Sequence, residues 1–436
     1  MTFIAIAVLW IIEIIITIFF EQDILVPVFF IIATAFIIAF RLLSMQKYDM
    51  LIICSGFLLC VIWLFIRNFL VIPGFLTIDT ADAMGFHKVA FGFAEQGRVD
   101  VGGYGGFYSA VLGIIYIVFG SYRIIGEFVN ILLYLGTALV IRNTLIFCRV
   151  SQKTKLISLA VFCFFPWSIL VSNVTLRESV ILFFFVLSVS SFIKYLKNDS
   201  QKEFILSVVF GLTAGFFHSG AMIAVPVYVL FWFIKTKSFF AKSAAVIIFI
   251  SAFSFLAIRE QDRINAYFGY FVYNMRNGLE SLARFLTLDY GDSVYLEWID
   301  ASYINSVFDL LWVIPLKFIY FIGSPMPWDW RGFGDMVAYL TDTIIYLVLI
   351  FICIKLLIKN KSLNNKSIYA MILIFIVVAC VYAAGTITAG TAIRHRYKLL
   401  VVLIFLYAML RSKGSHIQML SQKLKFNKEL QKRGKA

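Results

Sequence analysis

Residues 367–384 read Ser-Ile-Tyr-Ala-Met-Ile-Leu-Ile-Phe-Ile-Val-Val-Ala-Cys-Val-Tyr-Ala-Ala, a run without a charged side chain. Such a run predicts a helix that crosses a membrane, because about 20 apolar residues span the hydrocarbon core. The whole chain has the same character, since 62% of its 436 residues are hydrophobic and its mean hydropathy is +0.93. We therefore expect an all-α polytopic membrane protein.

Similar apolar runs recur along the chain, and the basic loops between them predict the orientation. Lys-rich loops usually face the cytoplasm. If the runs at 107–119 and 303–322 crossed the membrane, the basic loops at 142–155 and 355–366 would lie outside. The first run is short, and the second contains charged residues and a proline. We therefore expect both runs to form interfacial helices on the outer surface.

This threading predicts about 12 transmembrane helices with both termini in the cytoplasm. Two large extracytoplasmic segments result, at 67–123 and 259–335, and each carries an interfacial helix. Residues 1–411 then form a single integral membrane domain, and residues 412–436 form a basic cytoplasmic tail. The net charge of +14 lies mostly in short loops and the tail, so it indicates anionic lipid rather than nucleic acid as the partner.

The two basic residue types divide unequally between the two faces. Of the 38 cations, the threading assigns 19 Lys and 5 Arg to the cytoplasmic side, and 3 Lys and 11 Arg to the outer side. Lys inside is the ordinary topology signal. Arg outside indicates recognition of phosphate or carboxylate groups, because the planar guanidinium binds them through two parallel hydrogen bonds. We therefore expect an Arg-lined outer site for a phosphorylated lipid.

The first outer segment contains two candidate catalytic carboxylates, Asp79 and Asp82. On a helix, Asp82 shares one stripe with Phe86 and Ala90. A carboxylate at the start of a short helix beside the membrane is well placed to take a proton from an acceptor hydroxyl. Either Asp could instead cap the helix by accepting from free backbone N–H groups. The spacing does not decide between the two residues as base.

Candidate phosphate ligands lie at the outer ends of later helices. Arg177 and Glu178 are adjacent, and Arg177 could hold a pyrophosphate or be an ordinary interfacial arginine. Arg394, His395 and Arg396 form a dense cationic group just before the last span, for which a lipid phosphate is the natural partner.

Further candidates share the outer face. His87 and His218 fall on that face in the threading, where they could help to bind the substrate, but the histidines lack metal-ligand spacing and no metal site is predicted. A divalent metal stays possible. Trp328 and Trp330 could stack on sugars or belong to the interfacial aromatic belt, and Arg331 beside them is a further candidate ligand.

These motifs resemble the GT-C superfamily of membrane glycosyltransferases, in the branch of protein O-mannosyltransferases and aminoarabinose transferases. The resemblance rests on Asp82 with Phe86 and Ala90, on the Gly-rich stretch and short helix that end at Phe119-Gly, and on the late Arg-His-Arg. It implies an outer loop that carries the catalytic Asp and two interfacial helices. The Leu176-Arg-Glu feature also resembles bacterial O-antigen and capsule repeat-unit polymerases.

The resemblance implies a multi-pass enzyme of the bacterial cytoplasmic membrane with its active site on the extracytoplasmic side. Its donor would be a saccharide on a polyprenyl (di)phosphate, its acceptor a glycan or lipid-linked saccharide, and a chain-length regulator a possible partner. No cofactor is expected. Polymerisation of repeat units is the first expectation, and transfer of a single sugar to lipid A, protein or glycan is the second. A flippase or other transporter of lipid-linked oligosaccharides is the alternative from another class.

Overall fold

The computed structural model describes residues 10–11, 24–70, 81–102, 105–236, 310–359, 366–386 and 388–433. Every regular element in these ranges is helical, and none of them contains a β-strand. The α-helices are α1 (Leu25–Leu42), α2 (Lys47–Phe69), α3 (Ala81–Gln96), α4 (Gly106–Phe119), α5 (Arg123–Phe147), α6 (Gln152–Cys163), α7 (Pro166–Ser172), α8 (Glu178–Asn198), α9 (Gln201–Phe217), α10 (Ala224–Lys235), α11 (Leu310–Gly323), α12 (Phe333–Ala338), α13 (Ile344–Lys359), α14 (Lys366–Gly385) and α15 (Ala389–Arg433).

Three turns that are tighter or wider than an α-helical turn lie between these helices. 3₁₀ turns cover Ser219–Ile223 and Pro327–Asp329, and a π-helical turn at Tyr339–Thr343 joins α12 to α13. Such wide turns often mark functional or strained positions in a helix.

The all-α membrane architecture agrees with the sequence prediction. Within the described ranges, six helices are long and apolar enough to cross a membrane, or seven if α6 and α7 count as one bent span. They are the helices of a multi-pass membrane protein. The number of about 12 spans stays a prediction. The interfacial candidates, α4 and α11, are helices of 14 residues each, shorter than a typical span.

One of the apolar runs, at residues 156–172, does not form a single helix. It belongs to two helices, α6 and α7, that meet at an angle of 49° around Phe164 and Phe165. Pro166 explains the break, because proline lacks the N–H that would continue the hydrogen-bond ladder. The hydroxyl of Tyr134 donates to the carbonyl of Cys163 at 2.8 Å and so satisfies an acceptor that the break frees.

Helix α15 lies at the centre of the described structure. Every side chain from Arg396 to Leu410 is buried, and the helix packs against α6, α13 and α14. A helix that is apolar all round is typical of the middle of a bundle. It continues without a break past residue 411, where the membrane domain was predicted to end.

Helices α3 and α4 form a hairpin that packs on the beginning of α5 and on the end of α9. Two glycines allow the hairpin to turn, since Gly105 and Gly106 have φ of +79° and +52°. Some predicted features lie outside the described residues: Asp79, the apolar run at 243–258, and most of the second outer segment.

Candidate functional site

Arg394 joins two carboxylates that come from distant parts of the sequence. Its Nη1 donates to Asp82 Oδ2 at 2.7 Å, while its Nε and Nη2 donate to Glu178 Oε1 at 3.0 and 2.8 Å. The Glu178 side chain is 1% exposed, whereas that of Asp82 is 40% exposed. One guanidinium therefore connects a buried carboxylate to a carboxylate that solvent or a substrate can reach.

Glu178 is positioned by the chain segment that precedes it. It is the first residue of α8, where the free N–H groups of the helix favour negative charge. The connection before it is buried, and Asn130 on α5 donates from its amide to the carbonyls of Val174 (2.6 Å) and Leu176 (3.1 Å). This amide satisfies two carbonyls that no helix pairs, and it fixes the point at which α8 begins.

Asp82 is positioned by the docking of α3 on the same connection. The hydroxyl of Thr175 donates to the carbonyl of Ala83 at 2.9 Å, which ties the first turn of α3 to the start of α8. One turn further on, Phe86 is buried against Tyr108 and lies under the Arg177 guanidinium, 5.7 Å from the ring centroid. The stripe that begins at Asp82 is therefore the buried face of α3.

A second group of polar side chains lies beside Arg394. The His395 ring stacks on Tyr382 with centroids 4.4 Å apart, and the His218 ring lies 5.1 Å from His395. Lys398, one turn along α15, approaches His395 Nδ1 at 3.3 Å and lies 5.1 Å from the centre of the Tyr382 ring. We call the eight residues Asp82, Arg177, Glu178, His218, Tyr382, Arg394, His395 and Lys398 the Arg394 cluster.

The Arg394 cluster has more cations than carboxylates. Arg394 uses both carboxylates, and neither Arg177 nor Lys398 has a carboxylate within ion-pair distance in the described part of the chain. Lys398 is 1% exposed, so a positive charge on its amine would be costly without an anion nearby. The arrangement is compatible with a bound anion.

Polar atoms without partners occur at the same place. Arg177 Nε, Glu178 Oε2 and the Tyr382 hydroxyl are buried and have no hydrogen-bond partner among the described residues. Buried polar groups normally have partners, so these three atoms are available to hydrogen-bond a bound polar molecule.

His218 caps the 3₁₀ turn that follows α9 and lies outside the membrane-spanning segments. Its Nδ1 accepts from the backbone N–H of Gly220 at 3.2 Å. Burial, together with the positive charges of Lys398 and Arg177, lowers the pKa of His218 to about 3. The ring is therefore neutral at physiological pH and adds no further positive charge to the cluster.

Six of the predicted site residues meet in this cluster: Asp82, Arg177, Glu178, His218, Arg394 and His395. Arg396 does not join them, although it is two residues from Arg394. It is fully buried and donates to the carbonyls of Phe321 (3.2 Å) and Ile322 (2.6 Å) and to Asp342. Its Nη1 and Nη2 donors are used by the protein and no solvent reaches it, so Arg396 lies apart from the cluster, and its role as a ligand of a lipid phosphate stays a prediction.

His87 and Arg331 also make other contacts. His87 Nδ1 is 2.8 Å from the Tyr116 hydroxyl, and burial together with the charge of Arg123 lowers the pKa of His87. Arg331 is exposed, and its backbone N–H donates to Asp335 Oδ2 at 2.9 Å. The contacts of His87 and Arg331 described above are therefore with residues outside the Arg394 cluster.

Lys398 and Tyr382 are members of the cluster that the sequence analysis did not select. Each lies inside or at the end of an apolar run, where tyrosine is usual and a single lysine is easily assigned to the boundary. The helical spacing from Arg394 to Lys398 was the available signal, since residues four apart share one face. Among the described residues, no group of three His, Cys, Asp or Glu side chains is arranged to hold a metal ion.

No known protein family, curated protein or solved structure matches this chain. The chemistry of the Arg394 cluster is therefore the basis on which a function is proposed.

Proposed function

We propose that the chain is a membrane glycosyltransferase that takes a saccharide from a polyprenyl (di)phosphate on the extracytoplasmic face. In the most specific form of the proposal, it joins repeat units of a surface polysaccharide such as an O-antigen or capsule. One observation carries the proposal: a reachable carboxylate, Asp82, pairs with Arg394 in the same cluster as the half-buried Arg177 and the buried Lys398, and neither of these two has a carboxylate within ion-pair distance among the described residues. A base next to a site for an anion fits a transfer in which phosphate is the leaving group.

In this reaction the acceptor hydroxyl oxygen forms a bond to the anomeric carbon of the donor. The bond from that carbon to the phosphate oxygen breaks, and its electron pair stays on the phosphate. The hydroxyl proton passes to Asp82. Arg177 and Lys398 stabilise the charge that develops on the leaving phosphate.

The sequence suggested that Arg394 binds the phosphate of a lipid, whereas its contacts favour a different role. Because all three of its described hydrogen bonds go to Asp82 and Glu178, it orients the base rather than binding the donor. Glu178 neutralises the guanidinium from the buried side. This pairing keeps the Asp82 carboxylate in one direction while its exposed part stays available to a substrate.

Two other functions are compatible with a base beside an anion site. Transfer of a single sugar from a polyprenyl monophosphate to lipid A, protein or glycan needs the same groups. A transporter of lipid-linked oligosaccharides is the alternative from another class, and it would be expected to place paired charges at mid-membrane. The cluster is instead built near helix ends, by the first turns of α3 and α8, the second and third turns of α15, the last turn of α14 and the residue after α9, which favours chemistry at a surface.

Replacement of Asp82 by Asn tests the proposal in cells that depend on this chain for their surface polysaccharide. The change keeps the shape of the side chain and removes its basicity. We expect the long-chain ladder on a gel to disappear while single repeat units remain. Glu95→Gln is the matched control, because Glu95 is an exposed acidic residue on the same helix, and it should leave the ladder unchanged.

The pattern of products separates the candidate functions. Loss of one decoration on otherwise normal chains would support the single-sugar transferase. Normal chains from Asp82→Asn, at an equal amount of protein in the membrane, would reject both the polymerase and Asp82 as base.

A further inference from the structure

A short segment after α11 presents aromatic faces to the outside of the protein. Trp328 is 70% exposed, yet its indole Nε1 donates to the Tyr320 hydroxyl at 3.0 Å. Trp330 is half-buried, donates to the carbonyl of Pro325 at 3.2 Å and contacts the Tyr339 ring edge to face, with centroids 5.4 Å apart. Both indoles are therefore held in place by hydrogen bonds to the protein itself.

These hydrogen bonds distinguish the two indoles from ordinary interfacial tryptophans. A tryptophan of the interfacial belt has one apolar side in lipid and a polar N–H that bonds water or headgroups. Here both N–H groups already have protein acceptors. What Trp328 offers to a partner is its flat apolar face, in a fixed orientation.

The surroundings of the indole are polar and open. Asp335 and Arg331 lie in the same segment, and a Cβ atom built on Gly332 or Gly334 would meet nothing within 4 Å. A pyranose ring has one face of C–H bonds and a rim of hydroxyl groups. An aromatic ring covers the C–H face and removes it from water, while carboxylate and guanidinium groups hydrogen-bond the hydroxyl groups of the rim.

The segment lies at the same end of the bundle as the Arg394 cluster. Arg396 donates to the carbonyl of Ile322, and Arg394 is two residues away on the same helix. Trp328 is six positions after Ile322, so the chain places the backbone of Trp328 within roughly 20 Å of that carbonyl. An extended oligosaccharide can bridge such a distance.

We propose that Trp328, Trp330, Arg331 and Asp335 form a binding subsite for an oligosaccharide, with Trp328 as the stacking surface. The inference rests on the proposed function and deepens it: the subsite holds sugars remote from the reacting bond. Its ligand is a neutral or mildly charged saccharide several units long. The Arg394 cluster takes the anionic end of a substrate, and this subsite takes part of its glycan.

Binding by the full-length chain in lipid nanodiscs tests the subsite. The probes are oligosaccharides released by mild acid from the surface polysaccharide of the same cells, with maltoheptaose as an unrelated glycan. Trp328→Ala should raise the Kd for the released oligosaccharides by about 10-fold, the order expected for one aromatic contact. Trp328→Phe should stay within about 3-fold of the unchanged chain, since a ring is kept.

Phe333→Ala is the control, because Phe333 is 73% exposed on the same segment and is not assigned to the subsite. An equal Kd for Trp328→Ala and the unchanged chain overturns the inference. So does an equal loss with Phe333→Ala, which would indicate a general apolar effect. Tryptophan fluorescence gives a second measurement. The emission of Trp328, obtained as the difference between the unchanged chain and Trp328→Phe, should respond to the oligosaccharide. Quenching by brominated lipid without that response would assign Trp328 to the membrane belt and also overturn the inference.

Failure of the subsite and failure of the proposed function give different results. If Asp82→Asn abolishes the polysaccharide ladder and Trp328→Ala leaves the Kd unchanged, the glycosyltransferase stands without this subsite. If the Kd depends on Trp328 and the ladder survives Asp82→Asn, the chain binds glycans but does not polymerise them.

Discussion

Arg394 and Arg396 point to opposite halves of the helical bundle from a single turn of α15. Arg394 bonds Asp82 and Glu178, which precede the undescribed residues 237–309, while Arg396 bonds Asp342 and backbone carbonyls that follow them. Side chains two positions apart on an α-helix point in directions about 200° apart, so Arg394 and Arg396 face away from each other. The start of α15 therefore joins the two halves where the candidate site lies.

The first prediction concerns the pair of Arg394 and Glu178. Arg394→Ala leaves the Glu178 carboxylate buried without its partner, which should lower the stability by roughly 3–5 kcal/mol. Thermal unfolding of the protein in detergent measures the change. The double variant Arg394→Ala with Glu178→Gln should recover most of the stability, because the Glu178 position no longer carries an unpaired buried charge, but it should not recover activity. A double variant as unstable as the single one would contradict the assignment of this pair.

The second prediction concerns the amide that fixes the start of α8. Asn130→Ala leaves the carbonyl of Leu176 without its donor, while that of Val174 keeps the N–H of Leu176, at a cost of about 1–3 kcal/mol for a buried acceptor. Because the next residues are Arg177 and Glu178, activity should fall more than the amount of folded protein does. Asn143→Ala on the exposed face of the same helix is the control and should change neither.

The third prediction concerns the pH dependence that follows from His218. The pKa of this ring is lowered in the folded chain to about 3, so below its ordinary value of 6.5 the unfolded chain binds a proton that the folded chain does not. Stability that is fully present above pH 6.5 is therefore lost as the pH falls toward 3, by up to about 1.4 kcal/mol per pH unit.

His218→Gln removes this titration, so its melting temperature should fall less steeply between about pH 7 and pH 4.5 than that of the unchanged chain. Parallel melting curves for the two proteins over that range would show that His218 is protonated equally in both states, contrary to its placement among Arg177 and Lys398.

The fourth prediction concerns the turn between α3 and α4. A Cβ atom at Gly105 would lie 2.2 Å from Ser109 Oγ and 2.5 Å from Phe86 Cδ1, whereas one at Gly106 would meet only the Val101 carbonyl at 3.8 Å. Both glycines have positive φ, so both alanine variants carry backbone strain. Gly105→Ala should destabilise the protein by about 1–3 kcal/mol more than Gly106→Ala, because it also overpacks the core. Equal melting temperatures would contradict the close packing of Phe86.

The sequence predicts most of the described helices because their apolar runs are long and the loops between them are basic. The run at 179–193, for example, lies within the observed Glu178–Asn198. It does not predict the break before Pro166, since the apolar pattern continues through it. Breaks of this kind depend on whether a neighbouring group, here the Tyr134 hydroxyl, satisfies the freed carbonyl.

For the candidate site too, the sequence predicts some of the residues but not the contacts that they make. Residue type and topology were enough to select Asp82, Glu178 and Arg394, which the structure brings into contact. The sequence did not reveal that Arg394 would be used by those carboxylates, because pairing across more than 200 residues is set by packing. Lys398 was passed over for a related reason: its spacing from Arg394 is visible in the sequence, but its lack of a carboxylate partner is visible only in the described structure.

The π-helical turn at Tyr339–Thr343 has a consequence for the alignment of α13. A π turn accommodates one residue more than an α turn, so every side chain beyond it is rotated by about 100° relative to an uninterrupted α-helix. Tyr346 and Cys353 thereby face α15, where the Tyr346 hydroxyl reaches the carbonyl of Arg396. Deleting a single residue here would turn that stripe away from α15, so the length of this turn sets which face of α13 supports the central helix.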